Sequence, residues 1–397
     1  MAAWQRLLDD EDVRRWHDKL ANSSPLTADE RVRVLARYCA EISTTPAELV
    51  KRASDQDGGR KRARDQLQDF VTASRNAGRA PGYVANFSKA VKSWLEHNDI
   101  LLGKITIGGN GATPTIEDEK VPTPEELRRV LTASTLRGRV IVTFVAFAGV
   151  RPGVLGNEKA KDGLRIRDLP DLRIEDRDVR ILRTPMQVTV RREISKIGQR
   201  YFTFLPAEGC GYLREYLEHR IAAGEVLDAA APVVRPDYHY TDRGRPAQMK
   251  GSPFLGRQGI SDEIRTALRS QGLRVRPYVL RSYADTALLS GERPGKITQT
   301  DREFFMGRKG TIDRVYTVGK VLPAEKVDEM RRAFAACEPY FGARPDVRVT
   351  FDPEQLVQDE DFMRRLRDAT VDVLFKDNPK WLAKMKAILA KSDALDE

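Results

Sequence analysis

Cysteine and histidine are scarce in this chain, and their scarcity removes whole classes of chemistry. Of 397 residues only three are cysteine, Cys39, Cys210 and Cys337. They lie far apart with no CxxC pair, which excludes a disulfide framework and a zinc cluster built on the usual spacing, and fits a reducing cytoplasm. Four histidines, His17, His97, His219 and His239, are too few and too scattered for the common His-based hydrolase arrangements. Long apolar runs are missing as well. The most apolar stretch, Val140 to Val150, is about half the length that spans a bilayer, so it is expected to be a buried element and no membrane partner is expected. No N-terminal run combines a basic start, an apolar core and a small-residue cleavage site, so no signal peptide is expected. Internal repeats and low-complexity segments are absent too.

Charge is plentiful and unbalanced. Lys and Arg number 68 against 58 Asp and Glu, a formal net charge of +10 with a pI near 9.4. Such an excess favours a polyanionic partner, because basic side chains displace condensed counterions from phosphates whatever the sequence of the partner. The length admits two domains, and 41% hydrophobic content is enough to give each a core.

The first hundred residues read as amphipathic helices. Thr27-Ala-Asp-Glu30 and Thr45-Pro-Ala-Glu48 have the form of capping boxes. A basic helix is expected over Arg60 to Asn76, stopping at Gly78. Another begins near Pro81, with Val84, Phe87, Val91, Trp94 and Leu95 on one face. Residues 108–121 (GGNGATPTIEDEK from Gly108 to Lys120) mix Gly, Pro and charge without apolar periodicity and read as a linker. A third capping box, Thr123-Pro-Glu-Glu126, opens the next helix, and the run from Val140 is expected to be a buried helix delivering Arg151 at its end. Between Leu172 and Leu205 the pattern shortens to strands, forming a small sheet with a turn at Ile197-Gly198-Gln199 that carries Lys196. Helices resume over Gly211 to Ala223, Ser261 to Ser270 and Pro323 to Ala336, and Phe351 to Ala394 reads as further helix. The expected fold is therefore mainly α with a small β-sheet, α+β in class.

The stretch from Arg276 to Lys320 holds the chemistry. Arg281 lies near the start of a helix whose apolar positions Leu280, Ala284, Ala287 and Leu288 recur at helical spacing, so its guanidinium is expected on the polar face. The turn Gly307-Arg308-Lys309-Gly310 adds two cations, and Tyr316 follows. Several positive charges and one phenol converging on one anion point to phosphate.

YVLRSYADTALL followed by MGRKGTIDRVYT resembles the second half of the catalytic domain of the tyrosine recombinases, the phage-integrase family, and most of all its archaeal-type branch with Tyr-x-x-Arg. AFAGVRPGVLG is similar to the family's first box, and EISKIGQRYFTFLP to its β-hairpin. Four boxes in order over roughly Pro122 to Tyr340 make a specific signal. The resemblance implies Tyr316 as nucleophile, Arg151 and Arg281 as the phosphate-binding arginines and Lys196 as the catalytic lysine. Tyr278 stands where many members carry histidine, Arg308 where they carry His or Trp, and Val154 where they carry an acidic residue.

It further implies a helical core-binding domain over residues 1–107, a linker over 108–121, a catalytic domain over 122–340 and a C-terminal helical extension over 341–397. The expected partner is double-stranded DNA bound by a homo-tetramer, with Phe362 to Leu389 docking on a neighbouring copy or packing on its own domain. Arg60, Lys61, Arg62, Arg64, Lys89 and Lys92 are the expected backbone contacts of the first domain. The implied activity is site-specific strand cleavage and rejoining through a 3′-phosphotyrosyl intermediate, with no cofactor, metal or ATP. A relaxing type IB topoisomerase and a recombinase-like DNA-binding protein without catalysis are the alternatives.

Overall fold

Apolar residues at helical spacing, opened by capping side chains, build the first part of the chain in the computed structural model, which describes residues 3–108, 119–175, 178–236, 253–308 and 322–342. The chain divides into two compact units, Met1–Glu119 and Lys120–Glu397. Among its described residues the first contains the α-helices α1 (Glu11–Ala21), α2 (Pro25–Glu41), α3 (Pro46–Ala53), α4 (Gly59–Asn76) and α5 (Pro81–His97). Thr45 caps α3 by accepting from the Glu48 amide. Thr27 does not cap. The cap of α2 is Ser24, which accepts from the Thr27 amide, because Pro25 suits the first helical position and sets the start three residues earlier.

Val84, Phe87, Val91, Trp94 and Leu95 of α5 are buried, as their spacing requires. Trp94 meets Trp16 of α1 edge to face at 5.4 Å, and its indole N–H donates to Pro46 O at 3.1 Å. Each buried side chain of this size is worth about 2–3 kcal/mol, whereas exposed pairs such as Arg15–Glu11 and Arg33–Glu30 contribute at most about 1 kcal/mol each. Apolar burial therefore holds this unit.

The second unit is helical with two small β-ribbons, α+β as expected. Thr123 and Glu126 complete a full capping box at the start of α6 (Pro124–Ala133). The apolar run forms α7 (Leu136–Ala146), buried from Val140 onwards. Arg151 does not end that helix. It lies five residues beyond, as the N-cap of a single turn, α8 (Pro152–Leu155), because Gly149 takes a left-handed φ of 65° and turns the chain before Pro152 restarts it.

The expected single sheet is two separate antiparallel pairs, β1 (Leu172–Glu175) with β2 (Asp178–Ile181), and β3 (Met186–Val190) with β4 (Tyr201–Leu205). Helices follow as α9 (Ala207–Ala222), α10 (Arg257–Ser270), α11 (Val279–Glu292), α12 (Gln299–Phe305) and α13 (Ala324–Ala335). Every residue of β4 is buried. Phe202 and Phe204 on one of its faces pack on Phe304, Phe305 and Phe334, with centroids 5.0 to 5.6 Å apart, so this strand is tied to α12 and α13 by aromatic contact. Alternation along the strand turns Tyr201 and Thr203 the other way, and Thr203 donates to Ala148 O at 2.9 Å beside the turn that carries Arg151.

Candidate active site

Four pieces of chain meet at this site: the turn after α7, the first turn of α11, the end of α12 and the start of β4. Arg281, third residue of α11, is buried rather than displayed on a polar face. Its Nη1 donates to Gly149 O at 2.8 Å and its Nη2 to Met306 O. Arg151 is half-buried and donates from Nη1 to Gly307 O at 3.2 Å. The two turns that supply these carbonyls lie against each other: a Cβ at Gly149 would come 2.8 Å from Met306 Sδ, so glycine is needed there for space as well as for its φ.

Among the described residues neither Arg151 nor Arg281 has a carboxylate partner. The other buried arginines all do. Arg220 and Arg235 share Glu225 at 2.6 Å each, Arg302 meets Asp285 at 2.7 Å and Arg331 meets Asp171 at 2.8 Å. Removing an ion from water costs several kcal/mol even after relaxation, and carbonyl dipoles offset only part of that. Burial, and then the charge of Arg151, push the Arg281 guanidinium below its ordinary pKa, though far from deprotonation at neutral pH. The arrangement is suited to receiving an anion. Guanidinium forks suit a tetrahedral oxyanion, and of the five N–H groups on Arg281 the two carbonyls above take only two.

Tyr278 precedes α11 and is 51% exposed, with its phenol close enough to act electrostatically on Arg281. Arg308 is also near enough for its charge to act on Arg281, but it is not free to turn: Asp285 of α11 pairs with it, and Glu303 lies at 4.0 Å. Lys196 is exposed in the ten-residue loop between β3 and β4, residues 191–200, and makes no hydrogen bond or ion pair among the described residues. Tyr316 and Lys309 lie outside the described residues.

Tyr283, the other tyrosine in the helical stretch, is unsuited to attack. Its hydroxyl donates to Phe341 O at 2.6 Å, and burial pushes its pKa up to about 12. One residue of the site was not singled out in the sequence. The Tyr201 hydroxyl is buried against the two arginines, and only its place in β4 puts it there, since nothing in the sequence pattern marks it off from an ordinary core tyrosine.

In the first unit, Arg60, Lys61 and Lys89 are exposed and Lys92 half-exposed, none with an ion pair among the described residues. Arg62 instead pairs with Asp55, and Arg64 with Asp65 at 2.8 Å.

No protein-family model matches the chain, and no curated protein matches it. Solved structures do. The chain is similar to XerA recombinase (18% identity over 81% of this chain and 96% of that one, TM-score 0.34). It is similar to the integrase of mycobacterium phage Brujita (15%, covering 86% and 94%, TM-score 0.34). It also resembles the Tn1549 transposon integrase in complex with circular intermediate DNA (12%, covering 67% and 83%, TM-score 0.38). At these identities and scores the functional reading stands on this chain's own residues.

Proposed function

We propose that this protein is a site-specific DNA recombinase of the tyrosine type, cutting and rejoining strands through a 3′-phosphotyrosyl intermediate. The observation that carries the reading is the exception Arg281 makes among the buried arginines: it is placed beside a second guanidinium, Arg151, with no carboxylate for either among the described residues. An anion completes such a site, and the net charge of +10 argues for a polyanionic one.

In this reading the Tyr316 phenol oxygen attacks the scissile phosphorus, its proton passing to solvent, and the P–O5′ bond breaks. Arg151 and Arg281 stabilise the charge that grows on the non-bridging oxygens, an interaction stronger in the transition state than in the bound phosphate. Lys196 gives its proton to the departing 5′-oxygen, for which an exposed ammonium on a hairpin loop is suited. Tyr278 hydrogen-bonds the phosphate or orients Arg281, since a phenol hydroxyl is a hydrogen-bond donor and a poor base. Arg308, held by Asp285, contributes charge rather than proton transfer. A second 5′-hydroxyl then attacks the phosphotyrosine and releases Tyr316, so bond energy is conserved and no ATP is required. The N-terminal unit supplies further phosphate contacts through Arg60, Lys61, Lys89 and Lys92, and the working form is a homo-tetramer on two duplexes in the cytoplasm.

The test is a nicked duplex carrying the binding site mapped by footprinting, with the short 5′-hydroxyl fragment free to diffuse away, incubated in EDTA and run on a denaturing gel. A protease-sensitive 3′ adduct is expected with the native chain and none with Tyr316→Phe. No adduct from the native chain on a bound site would replace this reading with that of a non-catalytic DNA-binding protein. An adduct that relaxes supercoils without joining two sites would indicate a type IB topoisomerase.

A further inference from the structure

Tyr201 is the first residue of β4, 1% exposed, and its hydroxyl, close to the guanidinium donors of Arg281 and Arg151, has no acceptor of hydrogen-bonding geometry among the described residues. Its ring lies over Gly307, where a Cβ would come 2.7 Å from that hydroxyl, and Gly307 also takes a left-handed φ of 57°. The Gly307 carbonyl is the acceptor for Arg151, and the Met306 carbonyl beside it is an acceptor for Arg281. The phenol is thus seated on the turn that both arginines grip. Burial pushes the Tyr201 pKa up and the charges of Arg281 and Arg151 oppose it, so the group is a neutral phenol facing two cations.

Guanidinium groups only donate. They can satisfy the Tyr201 oxygen, but they offer nothing to its proton, and no carbonyl or carboxylate among the described residues reaches that proton with hydrogen-bonding geometry. A buried O–H among donors needs an acceptor that arrives with the ligand. From this we infer that Tyr201 is a third phosphate-binding residue: its hydroxyl donates to one non-bridging oxygen of the anion held by Arg151 and Arg281. The inference rests on the recombinase reading for the identity of that anion. A neutral donor at this point fixes which of the two non-bridging oxygens faces β4.

Tyr201→Phe keeps the ring on Gly307 and removes only the oxygen. The experiment compares native and Phe chains, both full length, on the nicked duplex with an ordinary scissile phosphate and with each of the two methylphosphonate diastereomers, in which one non-bridging oxygen is a methyl group. On the ordinary phosphate the Phe variant is expected to cleave roughly 10²- to 10³-fold more slowly, the range for loss of one preorganised donor to a developing oxyanion, with duplex binding little changed. On one diastereomer the two chains are expected to cleave at equal rates, because the oxygen that Tyr201 contacts is already gone, while the other diastereomer preserves the full difference. An equal penalty on all three substrates would make Tyr201 a packing residue and overturn the inference, as would the absence of any penalty on ordinary phosphate. Failure of the native chain to form the adduct is a separate result, and it overturns the recombinase reading instead.

Discussion

A guanidinium buried without a carboxylate and a hydroxyl buried without an acceptor are each costly alone, by several kcal/mol for the ion and by about 1–3 kcal/mol for the hydroxyl. Together, around one turn, they outline a place suited to the proposed anion. Other groups in the same unit carry costs unrelated to that anion. Burial pushes the Glu338 carboxyl up to about 7 from an ordinary value of 4.5. The folded state therefore holds a proton that the unfolded state has lost between those values, so stability from this group is full below about pH 4.5 and is lost as pH rises through about 7. Glu338→Gln, which imitates the protonated form, is expected to raise Tm at pH 8 by a few degrees, on the scale of about 2–4 °C per kcal/mol. The gain should shrink to nothing towards pH 4.5. A Tm difference that does not vary with pH would sink this account.

At the scale of elements, the β3–β4 hairpin presents Lys196 from a loop whose first residue is anchored. Arg191 donates to Asp162 Oδ1 at 2.9 Å, to Asp168 Oδ2 at 3.0 Å and to Gly163 O at 2.8 Å, and the two carboxylates hold its pKa above the ordinary range. At the other end, β4 is locked by its aromatic contacts. Between two fixed ends Lys196 keeps a mobile ammonium, suited to following a leaving oxygen. Lys196→Ala is expected to slow cleavage of ordinary DNA by about 10²- to 10⁴-fold, the usual contribution of a general acid. Replacing the bridging 5′-oxygen by sulfur should restore most of that rate, since a thiolate leaves without a proton. If the Ala variant loses the same factor on both substrates, Lys196 is not the acid.

For the whole molecule, two cores mean two separately supported surfaces. Of the six cations expected to contact DNA from the first unit, Arg60, Lys61, Lys89 and Lys92 have no carboxylate partner among the described residues, whereas Arg62 and Arg64 are engaged with Asp55 and Asp65. Changing the four to Gln in the full chain is expected to weaken duplex binding whatever the DNA sequence. It should also reduce the slope of log K against log salt by about 0.9 for each phosphate that the protein then leaves to its counterions. The pair Arg62→Gln and Arg64→Gln should move that slope much less. A slope unchanged by the fourfold variant would remove the first unit from the DNA-binding surface.

Much of this was determined by local sequence alone. Helix starts at Thr45 and Thr123, the buried face of α5 and the strands on either side of Lys196 follow from caps, periodicity and β-branched alternation, which act within a few residues of one another. Where a neighbouring signal competed, as Ser24 with Pro25 did against Thr27, the stronger local geometry prevailed and the boundary moved. The proposal of a site was legible because Arg151, Lys196, Arg281 and Arg308 sit in four ordered motifs. Its interior was not. That Arg281 points inward to Gly149 and Met306, that Arg308 is tied to Asp285, that the sheet is two ribbons, and that Tyr201 stands beside both arginines all depend on segments well separated in the chain meeting in space. Such contacts are decided by which apolar faces pack together, and charge without a partner becomes visible only once the packing has placed every carboxylate elsewhere.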